Sequence, residues 1–193
     1  MNLPNKLTLG RLVLCGVFVA IMSIPFPLHY TLALVVFVAA SITDYYDGKI
    51  ARERGLITNF GKLMDPLADK VLLAAALVLL VGHDLIPAWA VVLVLAREFL
   101  VTGLRLIASS QGSVLAADSL GKQKTIIQIV TVIYFLLFLA ASERIFYFLR
   151  PAYSVPALSP KILGTILIAS TVALTLISGV GYLTKNRKLL TGT

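Results

Sequence analysis

Residues 29–81 read HYTLALVVFVAASITDYYDGKIARERGLITNFGKLMDPLADKVLLAAALVLLV. Two apolar runs enclose a polar middle. Tyr30 to Ile42 is almost unbroken hydrophobic sequence, and so is Val71 to Val81. The middle holds two pairs of aspartates, Asp44 with Asp47 and Asp65 with Asp69. Spacings of three and four residues put both carboxylates of a pair on one face of an α-helix. The pattern predicts one membrane helix over about 29–48, a basic loop from Lys49 to Lys62, and a second membrane helix over about 61–81. The carboxylates then stand at the adjoining ends of the two helices.

The rest of the chain repeats the apolar pattern. Of 193 residues, 59% are hydrophobic and 13% charged, against roughly 25% charged in a soluble domain. Further spans are expected over about 7–24, 87–109, 122–141 and 161–183, each near the ~20 residues a bilayer requires. Pro25 and Pro27 form a turn after the first, where a signal peptide would need a small-residue cleavage site. Gly82-His83-Asp84 is a turn, and Pro87 suits the start of a helix. Residues 111–120 form a loop rich in Gly, Ser and Ala, and 142–160, with Pro151, Pro156 and Pro160, form the longest loop. The lone cysteine, Cys15, lies in an apolar run and excludes a disulfide framework.

Charge sets the orientation. Of the 17 Lys and Arg residues, only Arg144, Arg150 and Lys161 fall on one side of the expected topology. The other side is therefore cytoplasmic. The net charge of +8 points to anionic lipid headgroups and not to nucleic acid. The sequence predicts an all-α integral membrane bundle of six transmembrane helices in a single domain over 1–193. It has a short N-terminal interfacial segment, and both termini are cytoplasmic. Trp89 and Phe146-Tyr147-Phe148 read as interface anchors.

Asp44, Asp47, Asp65 and Asp69 need compensation. An aspartate at the centre of a span costs about 2.5–3.5 kcal/mol on insertion scales, so four cost about 10–14, less near the interface. Like charges at close range add repulsion. One or two bound divalent cations would offset both, and all-oxygen ligation suits Mg²⁺, Mn²⁺ or Ca²⁺. The alternative is a set of interfacial ion pairs with Arg52, Arg54, Lys62 and Lys70. Gly48, Ala51 and Gly61 leave room for a ligand beside the carboxylates, although small residues also favour close helix packing.

The complete pattern Asp44-x2-Asp47-Gly48-x2-Ala51-Arg52-x8-Gly61-x3-Asp65-x3-Asp69 resembles the signature of the CDP-alcohol phosphotransferases. That family consists of six-helix membrane enzymes that move a phosphatidyl or related group from a CDP-linked donor to an alcohol and release CMP. Three outer motifs narrow the resemblance: Asn2-Leu-Pro-Asn-Lys-Leu-Thr8-x2-Arg11, Arg97-Glu-Phe-Leu-Val-Thr-Gly-Leu-Arg105, and Gly121-Lys-Gln-Lys-Thr125-x2-Gln128. They look like the branch that joins CDP-diacylglycerol to sn-glycerol 3-phosphate.

The resemblance implies Mg²⁺ or Mn²⁺, two ions per site, held by Asp44, Asp47, Asp65 and Asp69, with Asp69 also the general base. It implies CDP contacts at Asp47, Gly48, Ala51, Arg52 and Gly61, and from Asn5 and Thr8 in the N-terminal segment. Helix capping is the alternative for the last two. A phosphorylated acceptor calls for cations, and Arg97, Arg105, Lys122 and Lys124 are the candidates, with Thr102 between the arginines and Lys185 further on. Arg97 and Arg105 are about 80° apart around a helix and can flank one pocket. Lys122 and Lys124 are about 200° apart, so one of them points inward. Glu98 would orient an arginine. Each cation taken alone also suits a snorkelling anchor.

The resemblance further implies a homodimer in the inner (plasma) membrane, its active site facing the cytoplasm among membrane lipids. Other acceptors of the same chemistry are inositol phosphate, serine and phosphatidylglycerol. A cation transporter is the alternative of another class. It would want the carboxylates near mid-membrane, whereas these stand toward one face.

Overall fold

Backbone polar groups away from water must bond to one another, so long apolar runs become helices. The computed structural model describes residues 3–53, 59–110 and 119–186. Within them, the side chains at 3–8, 44–53, 59–69, 110 and 119 lie outside the description. The helices are α1 (Leu3–Ser23), α2 (His29–Glu53), α3 (Asn59–Gly82), α4 (Ala88–Ser110), α5 (Ser119–Ala140), α6 (Arg150–Ser154) and α7 (Thr165–Lys185). No strand occurs among the described residues. Six of the helices have 21 to 25 residues.

Three boundaries depart from expectation. The N-terminal stretch is continuous with the first long helix, because α1 runs unbroken from Leu3 through Arg11. Its one proline, Pro4, stands in the first turn, where a missing N–H breaks no helical bond. The stretch expected as a basic loop over 49–62 is helical at both ends, since α2 continues to Glu53 and α3 already begins at Asn59. Gly48 lies inside α2 and Gly61 inside the first turn of α3, at a cost of about 1 kcal/mol each relative to alanine. Residues 142–160 are largely helical turns: Tyr147–Leu149 and Pro156–Leu158 are 3-10, Arg150–Ser154 is α6, and Pro160–Gly164 is π-helical. Each of the three prolines there occupies one of the first two positions of its turn.

The long helices form a closed ring of neighbours, α1–α2–α5–α7–α4–α3, and α3 also meets α5 across it. Phe18, Phe37, Leu80, Phe135 and Leu136 are fully buried in the centre. Gly164 admits the Phe135 ring so closely that an added Cβ would lie 2.9 Å from it. The outer surface is apolar: Val92, Ile126 and Val180 are each at least 60% exposed. Polar Gln128, Thr131, Thr175 and Ser178 face inward and are buried. Apolar outside and polar inside is the distribution a lipid solvent selects. Two helical stretches, Leu120–Ala140 and Pro160–Lys185, are long and apolar enough to cross a membrane on their described residues.

The end of the bundle away from the aspartates is fastened by Glu143, just beyond α5. Its carboxylate accepts the N–H of Tyr30 at 2.9 Å and of Thr31 at 2.8 Å. It thereby caps the first turn of α2, which exposes backbone donors with no helical partner. The His29 ring lies 3.5 Å from the same carboxylate. Glu143→Ala is expected to destabilise the protein by about 1 kcal/mol, the usual worth of a cap. Thermal unfolding in detergent would show it as a lowered midpoint; an unchanged midpoint would mean that the cap contributes nothing.

Candidate active site

Glu98 stands in the middle of α4 and is 5% exposed. A carboxylate so enclosed requires cationic partners. It has them on three helices. Lys70 of α3 reaches Oε2 at 2.8 Å, Arg97 of α4 reaches Oε1 at 3.4 Å, and Lys124 of α5 contacts Oε1 as well. The carboxylate thus ties α3, α4 and α5 together where α3 and α5 cross the ring. Thr102, one turn on, donates its hydroxyl to the Glu98 backbone carbonyl at 2.7 Å.

The buried row of α5 explains why Lys124 takes part and Lys122 does not. Lys124, Gln128, Val132 and Leu136 follow at intervals of four and are all buried, as one face of a helix requires. Lys122 is half a turn away and exposed. Arg97 lies along α7, where an added Cβ at Gly179 would stand 2.9 Å from its Cγ. The absent side chain of Gly179 is what lets the arginine stem pass. Arg105 faces a different part of α7: its Nε donates to the Tyr182 hydroxyl at 3.3 Å, and its guanidinium lies 5.6 Å from the ring centroid. Lys185 is exposed near the end of α7. Among the expected acceptor residues, Arg97 and Lys124 meet at Glu98, Thr102 lies one turn from Glu98 on α4, and Arg105, Lys122 and Lys185 stand apart from that carboxylate.

A cavity of about 200 Å³ opens beside the cluster. Lys70, Glu98, Thr125 and Gln128 supply its polar wall, and Leu73 and Leu77 belong to its apolar wall. That volume is below the ~300–1,000 Å³ of pockets for drug-sized ligands and suits a small polar molecule.

The aspartates occupy neighbouring helices. Asp44 and Asp47 stand on α2, and Asp65 and Asp69 on α3. Their side chains lie outside the described residues, as do those of Asn5, Thr8, Ala51 and Arg52 and the surroundings of Gly48 and Gly61. Among the described residues, no three His, Cys, Asp or Glu gather as metal ligands. Lys70 directly follows Asp69, so the Glu98 cluster lies one residue along α3 from the aspartate signature.

Lys70 and Gln128 were not singled out for a site role from sequence. A signal existed for both. Lys70 begins the series Lys70, Leu73, Leu77, which lines the cavity at helical spacing. Gln128 falls in phase with Lys124 on the buried side of α5.

Residues 1–177 match the model of the CDP-alcohol phosphatidyltransferase family. The chain belongs to that family. Among its relatives, the CDP-diacylglycerol–glycerol-3-phosphate 3-phosphatidyltransferase of Bacillus subtilis (strain 168) is 48% identical over 143 residues, which cover 68% of this chain and 74% of that protein. The enzyme of the same name from Rickettsia felis is 35% identical over 181 residues, covering 94% of this chain and 93% of the relative. A probable phosphatidylglycerophosphate synthase of Mycobacterium tuberculosis (strain ATCC 25618 / H37Rv) is 36% identical over 187 residues, covering 95% and 81%.

Removing a buried carboxylate while leaving its cations in place typically costs about 3–5 kcal/mol. Glu98→Ala is therefore expected to lower the thermal midpoint in detergent more than Glu143→Ala does. A midpoint equal to that of the unaltered protein would show that the cluster does not hold the three helices.

Proposed function

We propose that the protein transfers the phosphatidyl group of CDP-diacylglycerol to sn-glycerol 3-phosphate, giving phosphatidylglycerophosphate and CMP. The observation that carries this reading is an intact aspartate signature in a chain of the CDP-alcohol phosphatidyltransferase family. The names of its relatives give the donor and the acceptor. Lys70, which directly follows Asp69, gathers with Arg97 and Lys124 at Glu98, and the three supply the cations that a phosphorylated acceptor needs.

The reaction is a displacement at phosphorus. The C1 hydroxyl of glycerol 3-phosphate attacks the β-phosphorus of the donor, a new P–O bond forms, and the bond to CMP breaks. Asp69 accepts the hydroxyl proton. Arg52 donates to the diphosphate, and Gly48, Ala51 and Gly61 leave space for the cytidine nucleotide. Asp44, Asp47, Asp65 and Asp69 form an all-oxygen donor set of a kind that fits Mg²⁺ or Mn²⁺. Two such ions, when bound, offset negative charge on the diphosphate and on departing CMP. Arg97 and Lys124 orient the acceptor phosphate, and positioning of this kind accounts for much of the acceleration. Arg105, Lys122 and Lys185 serve the approach of the anionic acceptor.

In this reading α1–α5 and α7 each cross the membrane, and the active site faces the cytoplasm of the inner (plasma) membrane, with the chain in a homodimer. The asymmetry of Lys and Arg supports the orientation, and the apolar outer surface supports the spans.

Purified protein given CDP-diacylglycerol, Mg²⁺ and glycerol 3-phosphate should release CMP, and chelation of the metal should stop it. Asp69→Asn should abolish CMP release while the variant still folds and binds the CDP-lipid. Wild-type turnover in Asp69→Asn would refute the base assignment, and acceptor-independent CMP release would refute the transfer.

A further inference from the structure

Gln128 lines the cavity beside Glu98. It is 0% exposed. Its amide nitrogen donates to Thr175 Oγ1 on α7 at 3.4 Å. Its carbonyl oxygen is buried and accepts no hydrogen bond. A buried acceptor left unmade carries the full desolvation penalty of the group. Its neighbours satisfy themselves: Thr131 pairs with Thr171 at 3.0 Å, and Ser178 donates to the Thr175 carbonyl at 3.1 Å. Gln128 Oε1 is thus an unpaired acceptor on a residue that lines a cavity of about 200 Å³, whose polar wall includes Lys70 and Glu98.

The missing partner is a donor, and the acceptor substrate has few. The phosphate group of glycerol 3-phosphate is mostly doubly ionised at neutral pH, since the second pKa of a phosphomonoester is about 6, and it offers acceptors. The C1 hydroxyl gives up its proton in the attack. The C2 hydroxyl is the donor that remains. We propose that Gln128 is a specificity-determining residue that accepts a hydrogen bond from the C2 hydroxyl of the acceptor through Oε1. The inference rests on the transfer reaction proposed above and adds the group that reads the carbon between the phosphate and the attacking oxygen. The Thr175 contact engages the amide nitrogen and leaves the oxygen without a partner. A site of this kind discriminates strongly, because an analogue without the hydroxyl leaves the buried carbonyl unpaired.

The test compares glycerol 3-phosphate with propane-1,3-diol monophosphate, which keeps the phosphate and the primary hydroxyl but has no hydroxyl at C2. Wild-type protein should use the deoxy compound with kcat/KM lower by about ten- to a hundredfold. Gln128→Leu should lower kcat/KM for glycerol 3-phosphate more than for the deoxy compound, so that the ratio between the two collapses toward one, which isolates the pairwise coupling. Equal use of the two acceptors by wild-type protein overturns the proposal, and so does undiminished discrimination in Gln128→Leu. If that variant does not fold, Gln128→Met, closer in shape, takes its place. If neither folds, the wild-type comparison decides alone. A wild-type protein that releases no CMP with glycerol 3-phosphate overturns the transfer reaction and this inference with it. Turnover without discrimination overturns this inference only.

Discussion

Three cations on three helices meet one buried carboxylate, and the arrangement of the bundle follows from that contact. Lys70, Arg97 and Lys124 would repel one another in a low-dielectric interior. Glu98 lets them lie together, and doing so fixes α3, α4 and α5 at one level. Polar burial of this kind stabilises only when each partner stays in place. The same contact therefore serves as a structural clamp and as a register mark. It sets Lys70 against α4 and α5, and Asp69 is the residue just before it on α3.

The packing around the clamp depends on small side chains and inward-facing polar ones. Gly179 lets the Arg97 stem pass beside α7, and Gly164 admits the Phe135 ring. Thr131 with Thr171 and Gln128 with Thr175 join α5 to α7 through side-chain hydrogen bonds. In a lipid solvent apolar burial between helices contributes little, so close approach and such bonds take its place. The exposed Val92, Ile126 and Val180 are the complement of this interior. The cavity beside Glu98 lies where the polar row of α5 meets the clamp, so a polar-walled space stands inside an otherwise apolar bundle.

Much of this was legible in the sequence, and the rest was not for identifiable reasons. Long apolar runs marked the six long helices, and the aspartate pairs fell on α2 and α3 as their spacing required. The phase of α5 allowed only one of Lys122 and Lys124 to point inward; the following buried residues, Gln128, Val132 and Leu136, decide for Lys124. The length of α2 and α3 was underestimated, because charged and glycine residues resemble a loop although they can continue a helix. Three prolines likewise resembled an irregular loop, yet each starts a helical turn. The partners of Glu98 and the Glu143 cap were out of reach: Lys70 is 28 residues from Glu98, and Tyr30 is 113 from Glu143. No local pattern encodes such pairings. The aspartate signature itself was legible only as a pattern of carboxylates in need of compensation until its complete spacing was matched to a family.

The central claim is that the phosphatidyl group goes to glycerol 3-phosphate. The most direct measurement supplies purified protein with CDP-diacylglycerol and Mg²⁺ and offers isotopically labelled glycerol 3-phosphate, inositol phosphate, serine or phosphatidylglycerol one at a time. Label extracted into newly formed lipid is then counted against CMP. The account predicts label in lipid from glycerol 3-phosphate, matched one for one by CMP, and none from the other three. Incorporation from inositol phosphate without incorporation from glycerol 3-phosphate would contradict it.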